Sequence, residues 1–136
     1  MENLNHLLEG FFIILTPLRL LYCFLGCFWG TIIGVLPGIG PLGGMALLLP
    51  LTFKLDPTSS IIMLAGIFYG TMYGGSTTSI LLNIPGEAAS IVTCMDGYQM
   101  ARTGRAGPAL VVTALGSFVG GTLSIFAFML FFFSLS

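Results

Sequence analysis

Two segments of this sequence combine helix-breaking residues with groups that bind ions or anions. The first is Pro37-Gly38-Ile39-Gly40-Pro41-Leu42-Gly43-Gly44, which precedes an apolar stretch. At the start of a helix, unpaired backbone N–H groups and the positive end of the helix dipole favour a negatively charged group. Glycine leaves room for such a group to come close to the backbone, and this segment contains Gly38, Gly40, Gly43 and Gly44. They predict a site where backbone donors face a carboxylate without a cationic side chain nearby.

The second segment places five polar side chains close together: Ser76, Thr77, Thr78, Ser79 and Asn83. Their oxygens suit a cation or the hydrogen bonds of a carboxylate, and polar groups inside a membrane segment usually have a function. The segment therefore predicts ligand contact, with Na⁺ at Ser76, Thr77 and Asn83. The alternative is that the hydroxyls bond to carbonyls of their own helix and hold neighbouring helices together.

The composition places both segments in a membrane protein. Of the 136 residues, 56% are hydrophobic and only 7% are charged, and the mean hydropathy is +1.04. Soluble domains carry about 25% charged residues. Residues 20–53, 57–86 and 106–136 contain no Asp, Glu, Lys or Arg, and each tract exceeds the roughly 20 residues of a spanning helix. We expect an all-α integral membrane protein, and no basic stripe that would bind nucleic acid.

The pattern predicts about three transmembrane segments plus a half-helix or re-entrant segment. Residues 1–16 have the spacing of an interfacial amphipathic helix, and Thr16-Pro17 ends it. A spanning helix follows within 18–53, but the prolines and glycines at 37–41 interrupt it. The remaining stretch, 42–53, covers only about 18 Å. It is either the second half of a broken spanning helix or one arm of a re-entrant hairpin.

The rest of the chain predicts a second broken helix, a polar connection and a last helix. The broken helix occupies 59–84 with its interruption at Gly74-Gly75, the connection occupies 86–106, and the last helix occupies 108–136. The positive-inside rule places Arg19, Arg102 and Arg105 in the cytoplasm together with the N-terminus. Lys54 then faces the other side.

Glycines recur at intervals of four within the predicted helices. They form the series Gly26-Gly30-Gly34, Gly66-Gly70-Gly74 and Gly116-Gly120. Small residues at this spacing allow helix backbones to approach closely in lipid, so the three series predict tight helix packing.

Interrupted helices indicate a transporter more than a simple anchor. Each unsatisfied backbone group in hydrocarbon is costly, so irregular backbone persists only where protein covers it or a wet cavity solvates it. Transporters use such breaks to bind substrates and coupling ions. The single histidine, His6, lies in the predicted interfacial segment, so no Ser-His or metal-His site forms inside the membrane. We expect neither an enzyme nor a cofactor.

Three blocks of the sequence occur in the order found in one known family. The first reads GVLPGIGP at 34–41 with ALLLPLTF at 46–53, the second runs from Tyr69 to Glu87, and the third runs from Thr93 to Leu110. They are similar to the large membrane subunit of tripartite tricarboxylate transporters, the TctA family. The similarity covers most of this chain and corresponds to the N-terminal portion of a longer protein with two related halves of inverted topology.

The resemblance implies a multi-pass secondary transporter of the bacterial inner membrane. It implies uptake of citrate-like or other carboxylates driven by Na⁺ or H⁺, and the lack of a visible intramembrane acid favours Na⁺. It also implies two partners, a small four-helix membrane subunit and a periplasmic solute-binding protein. Because residues 126–136 are still membrane-like, the alternative is a truncated remnant or membrane scaffold without transport activity.

Overall fold

A computed structural model describes residues 2–135, and the surroundings of side chains are described for residues 5–132. Within this range the chain is helical and contains no strand. The α-helices are α1 (Glu2–Ile14), α2 (Pro17–Gly34), α3 (Gly40–Thr52), α4 (Pro57–Leu82), α5 (Ile91–Arg102) and α6 (Ala106–Leu135), with a 3₁₀ turn at Ala88–Ser90 before α5. The predicted all-α class is confirmed. The expected interfacial segment corresponds to α1, with Met1 outside the described residues.

Prolines mark the starts of three helices. Pro17 and Pro57 are the first residues of α2 and α4, and Pro41 lies in the first turn of α3. A proline is tolerated there because the first N–H groups of a helix have no partner within the helix. Asp56 caps α4 by accepting a hydrogen bond from the backbone N–H of Ser59 at 3.1 Å. Hydrogen bonding to Ser59 also lowers the pKa of the Asp56 carboxyl.

The helices α2 and α4 run parallel and meet through their glycines. A Cβ atom added to any of six glycines would overlap backbone atoms of the opposite helix: Gly26, Gly30 and Gly34 of α2, and Gly66, Gly70 and Gly74 of α4. Gly26 faces Met63 and Gly34 faces Thr71, so residue numbers rise together along both helices. The first two glycine series therefore pack as predicted. Gly116 and Gly120 of α6 have no atom within 4 Å of an added Cβ in the described part of the chain.

The helix α3 returns antiparallel to α4 and completes a hairpin with α2. Gly44 near its start lies against the side chain of Thr71. At its end, the hydroxyl of Ser60 donates to the carbonyl of Thr52 at 2.9 Å. The chain reverses between α2 and α3, where Gly38 has a φ of 88° that glycine adopts without strain. Of the two alternatives for 37–53, the structure has the hairpin.

The expected interruption of α4 differs from the structure, which shows one continuous helix from Pro57 to Leu82. Gly74 and Gly75 do not unwind the helix. They allow the backbones at Gly34 and Gly86 to come close to it. The hydroxyls that follow them bond to carbonyls one turn earlier, which is compatible with an intact helix. Asn83, with φ 58° and ψ 30°, then ends α4 in the left-handed conformation.

Two helices in the described range are long and apolar enough to cross a membrane. They are Pro17–Gly34 and the Ala106–Phe132 part of α6. The 26 residues of α4 extend about 39 Å, which is also long enough. Its glycines and hydroxyl residues lower its hydropathy, and α2, α3 and α5 cover it. A central helix surrounded by protein does not need the apolar surface that lipid requires.

The hairpin changes the expected distribution of charge. Arg19 and Asp56 lie 3.9 Å apart, so Arg19 and nearby Lys54 are at the same end of α4. Arg102 and Asn83 line one cleft at the other end. This contradicts the expectation that Arg19 and Arg102 share one side and Lys54 the other. With basic residues near both ends, the positive-inside rule no longer selects an orientation. The predicted connection at 86–106 contains a 3₁₀ turn and α5.

Candidate functional site

Several backbones meet along one side of the C-terminal half of α4. Gly34 at the end of α2 lies against Gly74, and Gly44 of α3 lies against Thr71. After Asn83 the chain folds back so that Gly86 lies directly against Gly75. We refer to Gly34, Gly44, Gly74, Gly75 and Gly86 as the glycine junction. At the junction, the hairpin tip, α4 and the segment after α4 come together.

The glycine junction lies within the length of α4, well before its end. From Pro57 to Gly74 the helix rises about 26 Å, and from Gly74 to Leu82 it rises about a further 12 Å. The reversal between α2 and α3 is therefore level with an inner part of α4. If α4 crosses the bilayer, irregular backbone of the hairpin lies at membrane depth.

The four glycines predicted to expose backbone donors have different surroundings. Gly38 and Gly40 both have positive φ, and no described atom lies within 4 Å of a Cβ added to either. An added Cβ on Gly43 would meet only the side chain of Ile39, whereas Gly44 packs against Thr71. The described part of the chain thus leaves free space beside the Cα atoms of Gly38 and Gly40. Gly44, in contrast, holds the hairpin against α4.

The hydroxyl cluster is arranged as the alternative interpretation predicts. Ser76 donates to the carbonyl of Met72 at 3.2 Å, and Thr77 donates to that of Tyr73 at 2.9 Å. Thr78 and Ser79 donate to the carbonyl of Gly75 at 2.9 and 2.8 Å. A hydroxyl that donates its proton in this way still has lone pairs for a cation. Ligand contact by this cluster therefore stays a prediction.

Burial divides the same cluster into two pairs. Thr78 and Ser79 are 2% and 0% exposed, so they contact only protein. Ser76 and Thr77 are half-buried on the less covered side of α4. If a ligand binds beside this helix, Ser76 and Thr77 are the hydroxyls that reach it.

Asn83 is not grouped with Ser76 and Thr77. Along a continuous helix, Ser76 and Asn83 are separated by about 10.5 Å of rise. The Na⁺ site predicted at Ser76, Thr77 and Asn83 therefore draws on two separate turns of α4, and it stays a prediction. In residues 5–132 no group of three or more His, Cys, Asp or Glu side chains surrounds a metal position.

Asn83 instead lines a cleft between the end of α4 and one face of α5. The cleft has a volume of about 490 Å³ and is lined by Asn83, Pro85, Ile91, Cys94, Met95, Tyr98, Gln99 and Arg102. The sequence interpretation did not identify Tyr98, Gln99 and Arg102 as site residues. Their helical spacing was a usable signal, since residues three and four apart share a face.

The comparison with known families decides the identity. Residues 20–136 match the Tripartite tricarboxylate transporter TctA family. The chain belongs to this family. It is also 56% identical over 124 residues to an "Uncharacterized 52.8 kDa protein in TAR-I ttuC' 3'region" of Agrobacterium vitis. That alignment covers 91% of this chain and 25% of the relative. No solved structure gives a significant match to the chain.

Family membership confirms the resemblance seen in the three sequence blocks. Membership in this family agrees with the membrane-protein class that the two apolar helices indicate. Because the chain spans about a quarter of the length of the relative it matches, the activity of the whole protein is a separate question.

Proposed function

We propose that this TctA-family chain forms the N-terminal part of the large membrane subunit of a secondary transporter. The transporter takes up tricarboxylates or related carboxylates across the bacterial inner membrane, and the chain is not an enzyme and needs no cofactor. The observation that carries the proposal is the α2–α3 hairpin, whose tip meets α4 inside the length of that helix. A reversal at this depth has little use in an anchor, whereas transporters place binding sites at such breaks.

The proposed complex contains two further subunits. A periplasmic solute-binding protein delivers the carboxylate, and a small four-helix membrane subunit packs against the large subunit. The apolar window of α6 is not buried by the rest of the described chain. Lipid, the small subunit or further parts of the large subunit are the partners that suit this surface.

Transport is tested by reconstituting the full-length protein with both partners in proteoliposomes. Counterflow of labelled citrate, tartrate and similar acids identifies the substrate, and imposed Na⁺ or H⁺ gradients identify the coupling ion. We expect Na⁺-dependent uptake. If the complete complex moves none of these carboxylates, the non-transporting scaffold or remnant becomes the better interpretation.

We predict that Thr77→Val lowers Na⁺-dependent uptake by about tenfold. Valine keeps the shape of the side chain but removes the oxygen that would contact the ion or the carboxylate. The matched control is Thr122→Val. Thr122 donates to the carbonyl of Phe118 at 2.7 Å, in the same i to i−4 geometry, but lies exposed on α6. Equal uptake by the wild type and the Thr77 variant would remove Thr77 from the site.

A further inference from the structure

We propose that the cleft between the end of α4 and one face of α5 binds a carboxylate anion, with Arg102 as its cationic contact. The choice of a carboxylate over another anion rests on the proposed function, whereas the presence of an anion site rests on the geometry below. The sequence had indicated a carboxylate site built from backbone donors at the hairpin, without a cation. The cleft is a different site, and Arg102 gives it the positive charge that the predicted hairpin site lacks.

One continuous face of α5 forms a wall of the cleft. Its lining positions 91, 94, 95, 98, 99 and 102 follow the spacing of a single helical face. The N-terminal half of this face is apolar, and the C-terminal half presents Tyr98, Gln99 and Arg102. The cleft has a volume of about 490 Å³ and is open on one side, where Asn83, Gln99 and Arg102 are exposed. It offers hydrocarbon contact at one end and donors at the other.

Arg102 has no carboxylate partner among the side chains of residues 5–132. The ion pairs of that range are His6 with Glu9 and Arg19 with Asp56. Arg19 also donates to the carbonyl of Ile13 at 2.9 Å, so its charge is used within the fold. An unpaired guanidinium in a cleft is well suited to a carboxylate, because its planar donors match the two oxygens.

The end of α5 does not need Arg102 as a cap. The backbone N–H groups of Thr103, Gly104 and Arg105 already donate to the carbonyls of Gln99, Ala101 and Met100, at 3.2, 3.0 and 2.9 Å. Gly104, with φ 78°, provides the turn that makes these bonds. The guanidinium is therefore available to the cleft.

Asn83 contributes an amide from the opposite side of the cleft. Its left-handed backbone explains why asparagine or glycine suits the position, but only asparagine also adds a side-chain donor. The phenol of Tyr98 and the amide of Gln99 line the same cleft, which therefore contains neutral donors besides the guanidinium. One cation with several neutral donors fits a carboxylate on a small organic skeleton.

The test uses the full-length protein in phosphatidylcholine nanodiscs, with citrate as the probe in titration calorimetry. We expect Arg102→Gln to weaken citrate binding by about tenfold or more, the usual effect of removing a charge-assisted hydrogen bond. Arg105→Gln, three residues away and outside the cleft lining, is the control and should bind as the wild type does. Asn83→Gly keeps the left-handed turn and should weaken binding by a smaller factor.

Each outcome supports or overturns the cleft assignment. Weaker citrate binding by the Arg102→Gln variant, with normal binding by the Arg105→Gln variant, supports the assignment. Unchanged citrate binding by the Arg102→Gln variant, or an equal loss in both variants, overturns it. Binding of inorganic phosphate as tight as that of citrate overturns the choice of a carboxylate and indicates a general phosphate or lipid headgroup site. Uptake by proteoliposomes is measured in parallel. Normal uptake with Arg102→Gln leaves the proposed function intact, and Arg102-dependent citrate binding without any uptake leaves the cleft intact.

Discussion

Replacing Gly70 by leucine is expected to separate α2 from α4 and to prevent the native fold. A Cβ at this position would overlap the carbonyl oxygen of Cys27 and would lie 2.9 Å from the backbone nitrogen of Thr31. Backbone atoms cannot relieve the overlap by changing rotamer as a flexible side chain does, so the two helices must move apart. Each of the other α2–α4 glycine contacts would then be lost as well. Because native proteins are stable by only about 5–15 kcal/mol, we expect little folded protein.

The matched control is Gly120→Leu, since no described atom lies within 4 Å of a Cβ at Gly120. Both changes add the same side chain to a glycine in an apolar helix. The measurements are the yield of monodisperse protein in mild detergent and the midpoint of thermal unfolding. A Gly70 variant with the yield and midpoint of the Gly120 variant would show that α2 and α4 do not touch through their glycines.

Replacing Gly86 by alanine is expected to displace the segment that follows α4 and to abolish carboxylate uptake. A Cβ on Gly86 would overlap the Cα of Gly75 and would lie 3.1 Å from its carbonyl carbon. Forcing extra volume into a packed contact costs about 1–3 kcal/mol. The displaced segment connects α4 to α5, so the relative position of Asn83 and Arg102 across the cleft would change with it.

The control for this prediction changes Gly75, the other glycine of the same contact. A Cβ added to Gly75 would lie 3.4 Å from the Cα of Gly86, which is ordinary van der Waals contact. Alanine also has a higher helix propensity than glycine. We therefore expect Gly75→Ala to keep uptake and thermal stability close to those of the wild type. Equal behaviour of the two alanine variants in proteoliposome uptake would contradict the contact.

The sequence was sufficient for the helical class and the family, and it placed the starts of α2, α3, α4 and α6 within two residues. Charge-free tracts limit the spanning segments by length alone, and Thr16-Pro17 marks the end of the interfacial segment through local backbone chemistry. The close packing of α2 on α4 also followed from local information. Glycines four residues apart form a smooth stripe on one helix face, regardless of which helix packs against it.

Contacts between distant segments explain what the sequence did not predict. The Gly74-Gly75 pair was interpreted as a break, because glycine weakens an isolated helix. In the fold, the pair instead makes room for Gly34 and Gly86. The cleft of Asn83 and Arg102 was missed for a related reason. Its two sides lie on different helices, and no periodicity within either helix shows that they face each other.

The α2–α3 hairpin also determines which side of the membrane the later segments of the chain face. A segment that enters and leaves at the same face contributes no net crossing, so residues 53–56 return to the face at which α2 began. Counting apolar stretches alone would place Lys54 on the opposite face. Arg19 and Lys54 lie on one face for a hairpin and on opposite faces for a single broken crossing. They are therefore the two positions whose accessibility to membrane-impermeant reagents distinguishes these arrangements.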